Sequence, residues 1–86
     1  MSETRITVYT GPFCGYCEAA KRMLRRLEIP FEAIDLGGQP ERRMKLVEET
    51  GWRTVPIILL DDKLIGGYTE LMALHRNGGL NELLPD

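Results

Sequence analysis

The 86-residue chain sets 11 Lys and Arg against 13 Asp and Glu, for a formal charge of -2, and is 43% hydrophobic and 28% charged. That length closes one modest core and leaves no room for a second, so residues 1–86 read as a single domain. The charge balance argues against a general nucleic-acid binder, and no run reaches the roughly 18 to 20 apolar residues of a membrane span. Met1–Arg5 contains no apolar secretion signal, so a reducing cytoplasmic setting is expected.

In chain order, Ile6-Thr7-Val8-Tyr9 is β-branched and apolar, which predicts a buried strand stopped by Thr10-Gly11-Pro12. A helix is expected from Cys14 or Gly15 to about Leu27 or Glu28, ended by Pro30 because the residue before a proline avoids helical angles. Its apolar stripe is Ala20, Met23, Leu24 and Leu27, and Cys17 stands at the head of that stripe.

Phe31–Asp35 predicts a second strand, broken by Gly37-Gly38 before Pro40 opens a helix to about Thr50, with Met44 and Val47 as its core contacts. Ile57-Ile58-Leu59-Leu60 is the most apolar run and is expected to be a central strand. Asp61-Asp62 turns the chain into a hairpin partner, Lys63-Leu64-Ile65, that ends at Gly66-Gly67. Thr69 is the expected cap of a last helix facing inward through Leu71, Met72 and Leu74, and Asn77-Gly78-Gly79 terminates it. Leu80, Leu83 and Leu84 then pack a short final turn. The order β-α-β-α-β-β-α implies an α/β fold with a four-stranded mixed sheet and helices available to both faces. The first helix would start at the carboxyl end of the first strand, where such folds carry their chemistry.

Cys14-Gly15-Tyr16-Cys17 holds both cysteines of the chain. Three-residue spacing on a helix brings the two sulfurs into bonding range, so the pair can open and close. At the first turn, free backbone N–H groups and the positive end of the helix dipole favour a thiolate on Cys14, the species that attacks disulfides. Cys17, heading the buried stripe, is expected to be shielded. Zinc wants about four ligands, and the one further soft candidate, His75, lies in a different helix and has no evident pairing with Cys14. The basic clusters Lys21, Arg22, Arg25, Arg26 and Arg42, Arg43, Lys45 read as solvated helix exteriors, with Glu18–Arg22 and Glu41–Lys45 at pair spacing. Trp52 and Tyr68 fit either a core or a groove wall.

Three stretches together resemble the glutaredoxins of the thioredoxin-fold family: Phe13-Cys14-Gly15-Tyr16-Cys17 after Val8-Tyr9-Thr10, then Thr54-Val55-Pro56, then Gly66-Gly67-Tyr68-Thr69-Glu70. The resemblance covers essentially the whole chain and implies a thioredoxin-like fold and glutathione-dependent thiol-disulfide exchange. It implies Cys14 as nucleophile and Cys17 as resolving thiol. It also implies a glutathione groove of Tyr16, Arg53, Thr54, Val55, Pro56, Gly67, Thr69 and Glu70, with Pro56 cis and Val55 offering its backbone to the peptide. The implied partners are glutathione and disulfide-bearing or glutathionylated proteins, for a monomer that binds neither nucleic acid nor membrane.

The chain departs from the family pattern in two places. Gly11 stands where a lysine is common, with Arg53 as a substitute cation for the glycyl carboxylate of glutathione, and Gly15 stands where proline is commonest. Gly15 and Trp52 also resemble members that hold a [2Fe-2S] cluster between two protomers, each giving its first cysteine and a glutathione. That is the alternative reading, with Cys14 as metal ligand in a dimer formed only when the cluster is bound.

Overall fold

The computed structural model describes residues 4–85, so Met1–Glu3, read above for targeting, lie outside the described residues. Four strands and three helices follow one another as β1 (Ile6–Thr10), α1 (Gly15–Arg26), β2 (Phe31–Asp35), α2 (Pro40–Thr50), β3 (Ile57–Leu60), β4 (Lys63–Gly66) and α3 (Tyr68–Arg76). A 3-10 turn, Asn81–Leu83, comes last. The sheet order is β2-β1-β3-β4, with β1 parallel to β2 and antiparallel to β3, and β3 antiparallel to β4. The expected mixed four-stranded sheet is therefore present, with β1 and β3 in the middle. No helix among the described residues is long and apolar enough to cross a membrane.

Side-chain alternation divides the sheet into two faces. Ile6 and Val8 of β1 pair with Leu60 and Ile58 of β3, so all four point the same way. Against them pack Ala20 and Leu24 of α1, Leu71 of α3, Ile29 and Leu80, which are buried to 3% exposure or less. Each large side chain removed from water this way contributes on the order of 2 kcal/mol. The other face, with Ile57 and Tyr9, meets α2, whose Arg42 guanidinium lies 6.0 Å from the Tyr9 ring centre.

α1 closes earlier than a proline-driven stop requires. Glu28 takes a left-handed φ of 58°, its N–H donates to the Arg25 carbonyl, and the Ile29 N–H reaches back to the Leu24 carbonyl at 2.9 Å. This is a Schellman closure, with the apolar contact between Ile29 and Leu24 that such closures carry. Pro30 follows a helix that has already ended.

Three expectations need correcting. Met44 is 64% exposed, because the inward stripe of α2 is Arg43, Leu46, Val47 and Thr50, and no α2 side chain is fully buried. Glu18 pairs with Lys21 at 2.6 Å and not with Arg22. The N-cap of α3 is Gly67, two residues earlier than expected, and Thr69 lies exposed inside the first turn. The carboxylate of Glu70 accepts the Gly67 N–H at 3.0 Å, so the glutamate performs the capping that the threonine was expected to do.

Asp61 and Asp62 both have positive φ, 50° and 65°, the geometry of a two-residue hairpin turn that matches strand twist. Arg5 grips this turn: its Nε donates to Asp61 Oδ1 at 2.9 Å and its Nη2 donates to Oδ2. That hydrogen bond, more than charge alone, holds the Asp61 carboxyl below its ordinary range. A depressed carboxyl stabilises the fold above its unfolded value and loses the contribution as pH falls through the folded one. Asp61→Asn keeps a residue tolerant of left-handed angles and removes the charge. The substitution should lower the urea midpoint slightly at pH 7, with the difference closing at an acid pH that protonates Asp61 in the folded state. An equal difference at both pH values would mean that the turn geometry, not the ion pair, had been damaged.

Candidate functional site

β1 ends in the buried Thr10, and the loop Gly11-Pro12-Phe13 carries the chain over the sheet edge to Cys14. Cys14 is the N-cap of α1, in extended conformation, and its sulfur accepts the backbone N–H of Cys17 at 3.0 Å. The two cysteines are joined as a disulfide across a Cα separation of 5.2 Å, so this is the oxidised form. Cys14 is partly exposed, whereas Cys17 is 1% exposed and faces the core, the asymmetry that its place on the apolar stripe leads one to expect.

The Cys14 sulfur lies 3.6 Å from the carbonyl oxygen of Val55, which precedes a cis peptide bond to Pro56. In the disulfide that sulfur has no proton to donate, so this is a close contact and not a hydrogen bond. It nonetheless brings the start of α1 against a loop 41 residues away in sequence.

A cleft of about 130 Å³ runs on from this contact, lined by Tyr16, Trp52, Thr54, Val55, Pro56, Gly67, Tyr68, Thr69 and Glu70. Tyr16 and Tyr68 stack across its rim with ring centres 6.2 Å apart. Seven of the eight residues expected to hold glutathione line the cleft. The exception is Arg53, which is exposed and absent from the lining.

The two glycines before α3 explain how its first turn comes so close. Gly66 has φ +127°, and a Cβ there would stand 2.8 Å from Glu70 Cγ, with the Trp52 ring at 3.3 Å. A Cβ on Gly67 would meet Glu70 Oε1 at 3.3 Å. The pair therefore makes space for two side chains of the chain itself. Trp52 is in turn steadied by Thr50, whose hydroxyl accepts the backbone N–H of Trp52 at 3.1 Å while donating to the Leu46 carbonyl. Both aromatic residues left open by the sequence, Trp52 and Tyr68, are thus groove wall.

Arg43, read above as part of a solvated helix exterior, needs correcting. This half-buried residue on the inward stripe of α2 brings Nη1 within 3.7 Å of where a side chain on Gly11 would begin, the position at which a lysine was missed. Its helical spacing to Leu46 and Val47 was the available signal, obscured by its membership of a basic run.

A four-stranded mixed sheet with a Cys-x-x-Cys pair at the first helix and a cis-proline loop beside it defines a thioredoxin-like thiol-disulfide oxidoreductase. The glutaredoxin family model matches residues 6–65. A glutaredoxin of Neisseria meningitidis is 39% identical over 80 residues, covering 92% of this chain and 94% of that one. Glutaredoxin 3 of Escherichia coli is 35% identical over 79 residues, covering 92% and 95%. Among solved structures, a buckwheat glutaredoxin-glutathione complex superposes with a TM-score of 0.84 at 32% identity, covering 93% of this chain and 76% of that one. The chain belongs to the glutaredoxin family, and it is a thiol-disulfide oxidoreductase.

Two outcomes test this geometry. Once the disulfide is reduced, the helix N-terminus and the Cys17 N–H stabilise negative charge on the Cys14 sulfur, so its alkylation should show a pH midpoint below the roughly 8.5 of an ordinary thiol. A midpoint at or above that value would remove the helix-end argument. Gly66→Ala forces a Cβ into Glu70 at a left-handed φ and should cost about 1–3 kcal/mol in denaturant unfolding. It should also shift the emission of Trp52, the only tryptophan. An unchanged midpoint and spectrum would refute the close packing.

Proposed function

We propose that the enzyme reduces glutathione mixed disulfides and protein disulfides, with glutathione as its reductant, Cys14 as nucleophile and Cys17 as resolving thiol. The observation that carries this reading is a cleft running from Val55-Pro56 to the N-terminus of α3, with the Cys14 sulfur against the Val55 carbonyl at its near end. A γ-glutamyl tripeptide needs a thiol partner, an extended backbone partner and an end site for its amino-acid head. The cleft offers all three in that order.

In this reading the glutathione sulfur meets Cys14 and its peptide lies along Val55. Its glutamyl carboxylate meets the N–H groups of the first turn of α3 near Thr69, where the helix dipole favours an anion. Glu70 spends one carboxylate oxygen on the Gly67 N–H and offers the other to the ammonium. Arg43, whose Nη1 lies beside Gly11 where the family's lysine would stand, is a cation available to the glycyl carboxylate.

The Cys14 thiolate attacks the glutathionyl sulfur of a mixed disulfide. The protein thiolate leaves and takes a proton from water, and Cys14 is left disulfide-bonded to glutathione. A second glutathione thiolate then attacks that glutathionyl sulfur, freeing Cys14 and releasing oxidised glutathione. On a protein disulfide, Cys14 forms the intermolecular bond, and the Cys17 thiolate attacks the Cys14 sulfur to release the reduced protein. The enzyme is left in its Cys14–Cys17 form, the state described above. Two glutathione molecules restore the dithiol. Gly15 sits at the first position of α1 with nothing within 4 Å of an added Cβ, a feature that favours the [2Fe-2S] alternative no more than it favours exchange.

Cys17→Ser separates the two half-reactions. Turnover of a glutathionylated peptide should survive, whereas reduction of a protein disulfide should fall by about an order of magnitude or more, since the intermolecular bond then waits for an external thiol. Loss of both activities in a folded variant would show that the assigned roles are wrong.

A further inference from the structure

A second cleft, of about 320 Å³, runs between α1 and α3. Its apolar surface comes from Met23, Leu27 and Met72, all half-buried, and the exposed side chains of Arg22, Arg26 and Arg76 stand around it. No carboxylate lines it. Of the eight other Lys and Arg residues, four have a partner: Arg5 has Asp61, Lys21 has Glu18, Arg25 lies on Phe31 and Arg42 lies on Tyr9. Arg22, Arg26 and Arg76 have no ion pair or side-chain hydrogen bond among the described residues.

Helix C-termini favour cations, which accounts for Arg26 and Arg76 being in the last turns of α1 and α3. It does not account for three guanidinium groups from two helices converging on one apolar cleft in a chain of net charge -2. Gathering like charges is unfavourable unless something of opposite sign settles among them. The cleft also joins the redox site, because Tyr68 lines both cavities and stacks on Tyr16, the residue before Cys17.

We propose that the groove between α1 and α3 is a docking site for an acidic, partly apolar segment flanking the disulfide of a protein substrate. This rests on the thiol-disulfide exchange reading above and adds the chemistry of the partner to it. Carboxylates of the segment meet the three arginines, for which the planar guanidinium is well suited. Its apolar side chains lie on Met23 and Met72, whose flexible thioethers fit varied shapes. The substrate disulfide then hangs over the Tyr16–Tyr68 rim toward Cys14. Charge at such a rim acts chiefly on the rate of encounter, so the preference should weaken as salt rises.

The test compares two synthetic disulfide-bonded peptides, one flanked by carboxylates interleaved with leucine and one with glutamine in place of every carboxylate. The wild-type enzyme should favour the acidic peptide in kcat/KM by roughly tenfold at low salt. The combined variant Arg22→Gln, Arg26→Gln, Arg76→Gln should lose that preference and keep its rate on bis(2-hydroxyethyl) disulfide with glutathione. The corresponding triple lysine variant should recover most of the preference, which separates charge from general damage. In parallel, the acidic peptide with serine for cysteine is titrated into the oxidised protein while the Met23 and Met72 methyl signals are followed by NMR. Movement of those signals with the acidic peptide alone supports the site. Equal rates on the two peptides, or methyl signals that stay still, overturn the docking inference while activity on the small disulfide leaves the exchange reading standing. A wild type inactive on the small disulfide would instead fell that reading, and the methyl titration would still decide whether the groove takes an acidic segment.

Discussion

The whole arrangement hangs on one sulfur taking the place of a helix cap. An oxygen-bearing side chain at the N-cap normally satisfies a free N–H of the first turn. Here Cys14 does so, with the Cys17 N–H pointing at its sulfur from 3.0 Å. The consequence is chemical as much as structural, since the position that stabilises the start of the helix is also one where negative charge on a sulfur is favoured. Sealing the second cysteine into the core on the apolar face of α1 gives the pair its division between an accessible and a sheltered sulfur.

The sheet order explains why distant segments can reach that sulfur. β1 and β3 are the two central strands and run antiparallel, so the end of β1 and the beginning of β3 lie at the same edge. The loop entering β3 contains Val55-Pro56, and the loop leaving β1 contains Cys14. β4 then returns to that edge and delivers Gly66-Gly67 and the first turn of α3. Three loops meet because the topology leaves them nowhere else to go. The acidic cap of α3, Glu70, is placed by the same close approach that requires glycine at Gly66.

Much of this was legible in the sequence. Strand and helix bounds follow from hydrophobic period and from glycine and proline punctuation, and Ile57–Leu60 could be recognised as a central strand from its unbroken apolar run. The cysteine asymmetry followed from helical spacing. What escaped were matters of competition between local options. Met44 looked like a core residue by composition, but the inward stripe of α2 is set by Arg43, Leu46 and Val47. Thr69 has the better capping side chain, yet Glu70 reaches the vacant N–H from three residues on. Pro30 advertised a helix end that Glu28 had already made. The nearness of Arg43 to Gly11 depends on how α2 lies across the sheet, which no single-segment pattern encodes.

The absence of any fully buried side chain on α2 gives the cleft two unlike jaws. The cysteine jaw is bolted to the core through Cys17, Ala20 and Leu24. The opposite jaw, Trp52, is tethered by Thr50 to a helix that the core barely grips. Moving the tryptophan wall uncovers less buried surface than moving the cysteine wall, so the two sides of the cleft differ in stiffness, and the Cys14 sulfur sits on the stiffer one.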